Sequence, residues 1–316
     1  MSSADAAEHF VTLFDSHYLL QGICLYRSLE QTAAPFHLWI VAMDEGCEDA
    51  LRKLGLAHAT ILPLKSVENE RLLSIKGDRS IGEYCWTLTP FLPDFVFSRA
   101  PAVTRVTYLD ADLYFFERWA TLLAEFERSG KHVLITEHAF APEYAEKEKY
   151  GRFCVQFMLF RNSEAGLRVL RWWQDRCLEW CYAREEDGKF GDQKYLDDWP
   201  ARFSAEVHVL EQRERTVAPW NVAYLSRTGG AVRPVFYHFH SLKIVGPRRV
   251  MLYIAYSIGR RNLWIYDRYV AALRGAAAEL ATVGAAPVWR SIAKERFGVL
   301  RRLGRRLVGR LAWAEL

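Results

Sequence analysis

Two aspartates at a spacing of two, Asp110 and Asp112, follow an apolar stretch that begins at Val106. Ligands of open α/β sheets bind at the carboxyl ends of the strands. In extended backbone such side chains point to the same side, so the two carboxylates repel each other unless a cation lies between them. Mn²⁺ and Mg²⁺ accept these hard oxygen ligands and keep positions open for phosphate oxygens. The spacing predicts a divalent-cation site; the simpler alternative is that both aspartates cap a turn.

The elements that must position this pair follow from the hydrophobic pattern. The first 135 residues alternate apolar runs with amphipathic stretches, which is typical of parallel strands joined by helices. We predict an open α/β sheet and expect Pro90 and Pro93 to end or kink the helix that contains them. Strands are predicted at 9–14, 36–42, 60–64, 103–109, 131–136, 154–160, 206–210 and 233–238, helices at 18–30, 47–54, 81–97, 164–183 and 250–273, and a linker at 275–287.

Composition and charge exclude several classes of protein. With 51% hydrophobic and 25% charged residues, the chain is neither disordered, nor collagen-like, nor a disulfide scaffold. The net charge is +4, but residues 287–316 carry eight basic and two acidic side chains, which leaves the rest of the chain at −2. A slightly acidic body disfavours nucleic-acid binding, which needs a basic face on the folded domain. We therefore expect no nucleic-acid partner.

The basic segment 287–316 places leucine, isoleucine and valine at helical spacing among its arginines. This pattern predicts a basic amphipathic helix suited to the anionic inner leaflet of a membrane. The alternative is a helix that packs on the domain or on a second subunit. Met1–Glu8 has neither the basic nor the apolar region of a secretory signal, and no apolar run approaches the roughly 20 residues that span a bilayer. We predict a cytoplasmic protein, located at the cytoplasmic face of the inner membrane.

The segment YLDADLYFF, residues 108–116, resembles the D-x-D segment of GT-A-fold glycosyltransferases. Other segments in the same order resemble retaining glycosyltransferase family 8 and its bacterial relatives. Thr12, Asp15 and Tyr18, with the later Arg-Ser-Leu at 27–29, resemble the family's T-x-x-D-x-x-Y and S-L pattern. The resemblance implies a GT-A fold, a Rossmann-like open mixed sheet flanked by helices with a C-terminal helical extension. It also implies that Thr12, Asp15 and Tyr18 lie beside the base and ribose of a nucleotide.

Two further segments extend the resemblance toward the reacting groups. A histidine followed by an aromatic residue, His238 here, implies a third metal ligand, and Lys243 then implies a contact to the diphosphate. His240 shares a strand face with His238 and stays an alternative ligand. The run Gly191-Asp192-Gln193, with a leucine three residues later, resembles D-Q-x-x-L. It implies that Asp192 contacts a sugar hydroxyl or the acceptor, and that Gln193 lies beneath the anomeric carbon; a helix N-cap is the simpler role for Asp192.

The chain departs from the family pattern at three places. Residues 153–156 read FCVQ where the family has F-N-A-G, Trp86 follows Tyr84-Cys85 where an arginine is usual, and Lys243 is followed by Ile-Val rather than Pro-Trp. The resemblance therefore covers about residues 9–245. We predict a catalytic domain over 1–247, a helical extension and linker over 248–286, and the basic helix over 287–316.

Together these residues predict transfer of a sugar from a UDP-linked donor to a glycan or lipid-linked acceptor in cell-envelope or exopolysaccharide synthesis, with Mn²⁺ or Mg²⁺ as cofactor. A retaining reaction needs no strong base, because the departing phosphate accepts the proton; an inverting one needs a carboxylate, for which Asp192 is the nearest candidate. Trp199 and Trp220 are close in sequence to the proposed cleft segments and are the predicted acceptor-binding residues.

Two other functions remain open at this stage. A sugar-1-phosphate nucleotidyltransferase shares the sheet architecture but needs a Gly-rich basic loop after the first strand, and residues 15–21, DSHYLLQ, contain none. A non-catalytic nucleotide-binding or glycan-binding protein of the same fold would keep the pocket without needing the aspartate pair.

Overall fold

The computed structural model describes residues 7–32, 34–289, 306, 309 and 311–316. In this part of the chain the strands are β1 (Glu8–Phe14), β2 (Phe36–Ala42), β3 (Ala59–Pro63), β4 (Arg105–Leu109), β5 (Leu113–Phe115), β6 (Val133–Glu137), β7 (Phe153–Arg161), β8 (Val207–Val209), β9 (Thr216–Val217), β10 (Phe236–His238), β11 (Lys243–Gly246), β12 (Arg249–Ile254) and β13 (Leu311–Glu315). The α-helices are α1 (Leu19–Gln31), α2 (Glu45–Leu54), α3 (Glu70–Lys76), α4 (Ile81–Leu88), α5 (Phe91–Arg99), α6 (Ala120–Ser129), α7 (Glu164–Glu179), α8 (Trp199–Arg202), α9 (Val222–Thr228) and α10 (Leu263–Thr282). Segments of 3₁₀ helix lie at Ser16–Tyr18, Leu64–Ser66, Pro142–Tyr150, Gln193–Asp198, Arg213–Arg215 and Arg260–Asn262.

Seven strands form a mixed sheet in the order β3-β2-β1-β4-β7-β6-β8. The first four run parallel to one another. Strand β7 is antiparallel to both of its neighbours, and β8 is parallel to β6. The predicted open mixed α/β sheet is confirmed. Because β1 and β4 are parallel neighbours, the residues that follow Phe14 and Leu109 meet at one edge of the sheet.

Both faces of the sheet are buried, as successive residues of β1 illustrate. Phe10 and Val11 are 0% and 1% exposed, although their side chains point to opposite faces. Phe10 packs edge-on against Trp119, with ring centroids 5.2 Å apart. Val11 belongs to the apolar cluster on the other face, with Leu92 and Val106. Burial on both faces explains why these strands read as continuous apolar runs.

A second sheet of three short strands, in the order β5-β10-β9, begins just after the end of β4. Strand β10 runs antiparallel to β5, with His238 opposite Leu113. This pairing carries His238 to the turn that contains the aspartate pair. A third sheet, in the order β11-β12-β13, is antiparallel.

The helical region predicted at 81–97 consists of two helices, because α4 ends at Leu88, before Pro90, and α5 begins at Phe91. The prediction of a helix over 250–273 is wrong in its first part, where β12 is a strand. A short run of apolar residues has no period that separates a buried strand from a buried helix. The linker predicted at 275–287 is also wrong as far as Thr282, since α10 continues to that residue.

Small residues near the end of α10 let it pack closely. Ala276 and Leu280 are buried, at 2% and 0% exposure, and Arg27 on α1 forms an ion pair with Glu279 at 2.7 Å. The sequence predicted a linker here, whereas the residues as far as Thr282 belong to a helix that packs against α1.

The predicted basic helix over 287–316 falls mostly on residues outside the described part of the chain. Its last residues contradict the prediction, because Leu311–Glu315 forms strand β13, with Trp313 opposite Met251 on β12. The Arg249 guanidinium lies 4.4 Å from the centre of the Trp313 ring. Among the described residues, no helix is both long and apolar enough to cross a bilayer.

A close contact between α1 and the end of β1 provides a test of how the helix packs on the main sheet. A Cβ atom on Gly22 of α1 would overlap the Phe14 ring, which is 2% exposed. We expect Gly22→Ala to lower the melting temperature, because overpacking costs about 1–3 kcal/mol and outweighs a gain of about 1 kcal/mol in helix propensity. Gly275→Ala in α10 is the matched control, since nothing lies within 4 Å of its added carbon. Thermal unfolding followed by circular dichroism should show opposite shifts; an increase in both variants would contradict the contact.

Candidate active site at the sheet edge

Asp110, Asp112 and His238 form a cluster of potential metal ligands. Their ligand atoms all lie within 4.8 Å of one another. The Nε2 atom of His238 is 3.1 Å from Oδ1 of Asp112 and 3.8 Å from Oδ2 of Asp110. The structure thus brings His238, rather than the exposed His240, to the two carboxylates.

A tight turn after β4 places the two carboxylates. The Asp110 N–H donates to the Gln156 carbonyl at 3.0 Å, and the Leu113 N–H donates back to the Asp110 carbonyl at 3.2 Å. The Phe239 N–H donates to the Asp112 carbonyl at 2.9 Å, which fixes β10 to the same turn. The pair was expected in extended backbone; instead a hydrogen-bonded turn directs both side chains to one imidazole.

Each charge in the cluster affects the ionisation of its neighbours. Burial raises the pKa of Asp110 to about 6, and Asp112 adds to this increase while His238 and the Tyr108 hydroxyl oppose it. Burial also opposes ionisation of Asp112, but His238 outweighs it and holds the pKa of that carboxyl below its usual value. Burial disfavours the charged form of His238, yet Asp112 raises the pKa of that imidazole well above its usual value. Two carboxylate oxygens and one imidazole nitrogen are a donor set that fits Mn²⁺ or Mg²⁺.

The cluster lies in the wall of a cavity of about 1020 Å³. The cavity runs along the carboxyl-terminal edge of the main sheet, where ligands of α/β folds bind. Aromatic residues contribute much of its lining. Those residues are Phe14, Tyr18, Trp86, Tyr108, Phe140, Tyr150, Phe190, Trp220, Tyr256 and Trp289.

The residues predicted to bind the donor separate into two groups. Asp15 and Tyr18 line the cavity. Thr12 is completely buried in β1 and is not part of the cavity wall, so the structure does not place its side chain where a nucleotide could touch it. Lys243 is exposed at the start of β11 and lies outside the described lining.

The loop that carries Asp15 is held by side-chain hydrogen bonds. The Asp15 carboxylate accepts from the His17 N–H at 3.0 Å. The Asp44 carboxylate accepts from the Ser16 N–H at 2.7 Å and from the Ser16 hydroxyl. These bonds fix the backbone at this end of the cavity.

Asp192 and Gln193 both line the cavity. The Asp192 side chain makes no helix-capping hydrogen bond, so the simpler capping role is not observed. Its main-chain carbonyl accepts from the Trp173 indole at 3.0 Å. The Gln193 amide donates to the Tyr150 carbonyl at 3.0 Å. Burial, with the nearby Asp110, raises the pKa of Asp192 to about 8.

Gly191 is required where Asp192 approaches the cavity. Its φ is +53°, and a Cβ there would lie 3.2 Å from the Trp86 ring. Both the left-handed backbone and the close ring favour glycine. Trp86, on the helix where the resembled family usually has an arginine after a tyrosine, therefore packs against the residue that precedes Asp192.

Of the two predicted acceptor-binding tryptophans, only Trp220 lines the cavity. It donates its indole N–H to the His138 carbonyl at 2.6 Å. Trp199 is 0% exposed and packs against Trp173, with ring centroids 5.7 Å apart, so it does not face the cavity. Its place next to a polar loop in the sequence was misleading, because the residue turns into the core.

Sequence reasoning missed a row of aromatic residues in the cavity wall. Phe190 lies 6.2 Å from Trp86 and 4.7 Å from Tyr150, measured between ring centroids. Phe190 comes two residues before Asp192, and that proximity was a usable signal. Tyr150 and Trp86 come from distant segments, and only the fold shows that they meet.

The pKa of Asp192 predicts a pH-dependent stability. A carboxyl with a pKa near 4 when unfolded and about 8 when folded stabilises the protein fully below about pH 4, and this contribution is lost as the pH rises through 8. Asp192→Asn cannot ionise, so its free energy of unfolding should increase relative to wild type as the pH rises from about 4 to about 8 and should stay constant above that. Urea unfolding across this range measures the difference, with Asp267→Asn on the surface of α10 as control. A difference that does not depend on pH would refute the assignment.

No family model matches the chain. It is 32% identical over 252 residues to the uncharacterised protein YfnF of Bacillus subtilis (strain 168), which covers 75% of this chain and 82% of YfnF. It is 27% identical over 260 residues to the uncharacterised protein YfnD of the same organism, covering 79% of this chain and 83% of YfnD.

Solved structures share the architecture at low sequence identity. The galactosyltransferase LgtC, in complex with donor and acceptor sugar analogues, aligns with a TM-score of 0.55 and 16% identity over 84% of this chain and 95% of LgtC. The bifunctional glycosyltransferase WbbM aligns with a TM-score of 0.52 and 14% identity over 90% of this chain and 53% of WbbM. Membership of glycosyltransferase family 8 stays a prediction. The chain has the GT-A glycosyltransferase fold and belongs to the family of Bacillus subtilis YfnF.

Proposed function

We propose that this protein is a metal-dependent glycosyltransferase that moves a sugar from a nucleotide diphosphate donor to a hydroxyl of a glycan or lipid-linked acceptor. The observation that carries the proposal is the cluster of Asp110, Asp112 and His238 in the wall of the large cavity at the sheet edge. The shared fold supports the same activity, because the structures it resembles are glycosyltransferases.

The cluster would hold Mn²⁺ or Mg²⁺ through two carboxylate oxygens and the His238 Nε2 atom. Such an ion neutralises the negative charge on the diphosphate as the bond to the sugar breaks. Asp110 and Asp112 would hold the ion at the end of β4. The proposed contact of Lys243 with the diphosphate rests on the resemblance alone, because its exposed side chain lies outside the described lining of the cavity.

We infer that the nucleotide lies at the end of the cavity formed by Asp15 and Tyr18, with UDP as the proposed nucleotide. This assignment rests on the resemblance of the first strand and helix to those of family 8. The hydrogen bonds between Ser16 and Asp44 support a rigid loop at that position.

Asp192 is proposed to contact the transferred sugar. A buried carboxyl with a pKa of about 8 is largely protonated at neutral pH, so it can donate a hydrogen bond to a sugar hydroxyl. A protonated acid is a poor general base, which favours a retaining reaction in which the departing phosphate accepts the proton. Gln193, the next residue, is proposed to lie beneath the anomeric carbon.

The acceptor is proposed to bind where Trp220 and the other aromatic side chains line the cavity, since aromatic faces pack against the apolar faces of sugar rings. We propose that this acceptor belongs to cell-envelope or exopolysaccharide synthesis. The arginines of residues 287–316 would then hold the protein at an anionic cytoplasmic membrane surface.

Nucleotide release from a panel of nucleotide sugars tests the activity directly. We expect release to require Mn²⁺ or Mg²⁺ and to stop when EDTA removes the metal. Asp112→Asn should lower the rate by about 100-fold or more, because it removes a charged ligand. Asp267→Asn is the matched control and should keep the wild-type rate. Calorimetry with UDP completes the test: UDP binding that is equally strong without metal, or unchanged in Asp112→Asn, would refute the proposed site.

Vesicle sedimentation tests the membrane proposal. Deleting the tail would remove strand β13 as well, so substitution is the cleaner change. The variant replaces four arginines by glutamine: Arg301→Gln, Arg302→Gln, Arg305→Gln and Arg306→Gln. Because each basic residue near an anionic surface contributes about 1 kcal/mol, binding to anionic vesicles should fall by at least about tenfold. The control variant replaces four exposed basic residues of the body: Lys53→Gln, Lys65→Gln, Arg99→Gln and Arg128→Gln. Equal loss in both variants would argue against a specific role for the tail.

A further inference from the structure

Gln156 contacts two of the three residues in the proposed metal site. It lies on β7 and is 1% exposed. Its side-chain Oε1 is 2.7 Å from the His238 Nδ1 atom. Its main-chain carbonyl accepts the Asp110 N–H at 3.0 Å. One buried residue therefore touches the imidazole through its side chain and one carboxylate residue through its backbone.

The direction of the hydrogen bonds around Gln156 can be followed from atom to atom. The Thr136 hydroxyl donates its proton to the Cys154 carbonyl at 3.4 Å. That hydroxyl can then only accept from the Gln156 amide, whose Nε2 lies 3.5 Å away. The amide nitrogen is thus directed at Thr136, and its oxygen is directed at the imidazole.

The oxygen of an amide only accepts, so the His238 Nδ1 atom must donate to it. The proton that His238 keeps when a metal binds is therefore on Nδ1. The other nitrogen, Nε2, faces Asp112 and Asp110 at 3.1 and 3.8 Å, where a ligand atom needs a free electron pair.

We propose that Gln156 is a positioning residue that fixes the orientation and tautomer of His238, so that Nε2 is the nitrogen available to a divalent cation. The inference rests on the proposed function in so far as a cation binds at this cluster. Hydrogen bonds to the second nitrogen of a metal-binding histidine are a general means of orienting the ring. The residue type is a departure in this chain, at the strand where the resembled family has F-N-A-G.

Two substitutions separate this role from simple packing. Gln156→Met keeps the length of the side chain but cannot accept the proton of Nδ1, so Mn²⁺ affinity should fall by about 10-fold to 100-fold. Gln156→Glu keeps an acceptor for that proton, so affinity should stay within about threefold of wild type. Gln174→Met is the matched control, because Gln174 is also buried, at 4% exposure, and donates to the Pro90 carbonyl at 3.1 Å, away from the cluster. Its affinity for Mn²⁺ should not change.

Two measurements are made on the full chain. Electron paramagnetic resonance titration gives the Mn²⁺ affinity. Nuclear magnetic resonance of ¹⁵N-labelled histidine gives the state of His238, without metal and with diamagnetic Mg²⁺. In the wild type we expect a slowly exchanging Nδ1 proton in both states, and an Nε2 atom without a proton when Mg²⁺ is bound. The Nδ1 proton should exchange rapidly in Gln156→Met and stay protected in Gln156→Glu.

The outcomes distinguish this inference from the proposed function. Wild-type protein that binds no Mn²⁺ but shows a protected Nδ1 proton, lost in Gln156→Met, would refute the metal site and leave the role of Gln156 intact. Mn²⁺ affinity in Gln156→Met within twofold of wild type, or a metal-bound His238 protonated on Nε2, would overturn the inference. If Gln156→Met does not fold, Thr136→Val is the second test: it frees the amide to rotate, and a smaller loss of Mn²⁺ affinity is expected, whereas no loss would count against the inference.

Discussion

The repulsion between two carboxylates at the end of a buried strand is the constraint on which the rest of the site depends. Asp110 and Asp112 follow β4 directly, and both line the cavity. Their ionisation is costly unless positive charge lies close by. In the structure His238 provides that charge and lowers the pKa of Asp112, whereas burial raises the pKa of Asp110 in spite of the same imidazole. The two carboxyls therefore differ in environment: Asp112 lies nearer the imidazole, at 3.1 Å against 3.8 Å for Asp110.

Meeting this constraint requires strands that are distant in sequence. His238 reaches the aspartates only because β10 pairs with β5, immediately after the turn. The turn itself is fixed by the main chain of Gln156 on β7. Strand β7 runs antiparallel to β4, and its residues come close to Asp110 through this reversed direction. Pairing of β10 with β5 in the second sheet thus brings the imidazole to the end of β4, and the antiparallel strand β7 of the main sheet brings its hydrogen-bond partner.

The sequence predicts the structural features that depend on a local residue pattern, but it does not predict those that depend on which strands pair. The bounds of β2 agree with the predicted strand at 36–42, and the position of Asp110 at a strand end is also as expected. The apolar residues of β12 carry no period that excludes a helix, and only pairing with β11 and β13 makes them a strand. Trp199 was wrongly expected in the cavity for a similar reason, since its polar neighbours in the sequence do not show that its side chain packs in the core. The role proposed for Gln156 could not be predicted from the sequence, because it depends on contacts with residues that are distant along the chain.

The side chains of the site form a continuous path with a change of chemistry along it. The charge of Asp110 contributes to the raised pKa of Asp192. Next to Asp192, Gly191 lies against Trp86. Trp86 and Tyr150 both contact Phe190. The path therefore begins at the ionisable cluster, passes a carboxyl whose pKa burial raises, and ends at aromatic faces. A nucleotide sugar has the same order of properties, from charged diphosphate to hydroxyl-bearing ring. On the proposed function, the low polarity around Asp192 is what allows one carboxyl to serve as a hydrogen-bond donor while its neighbours serve as metal ligands.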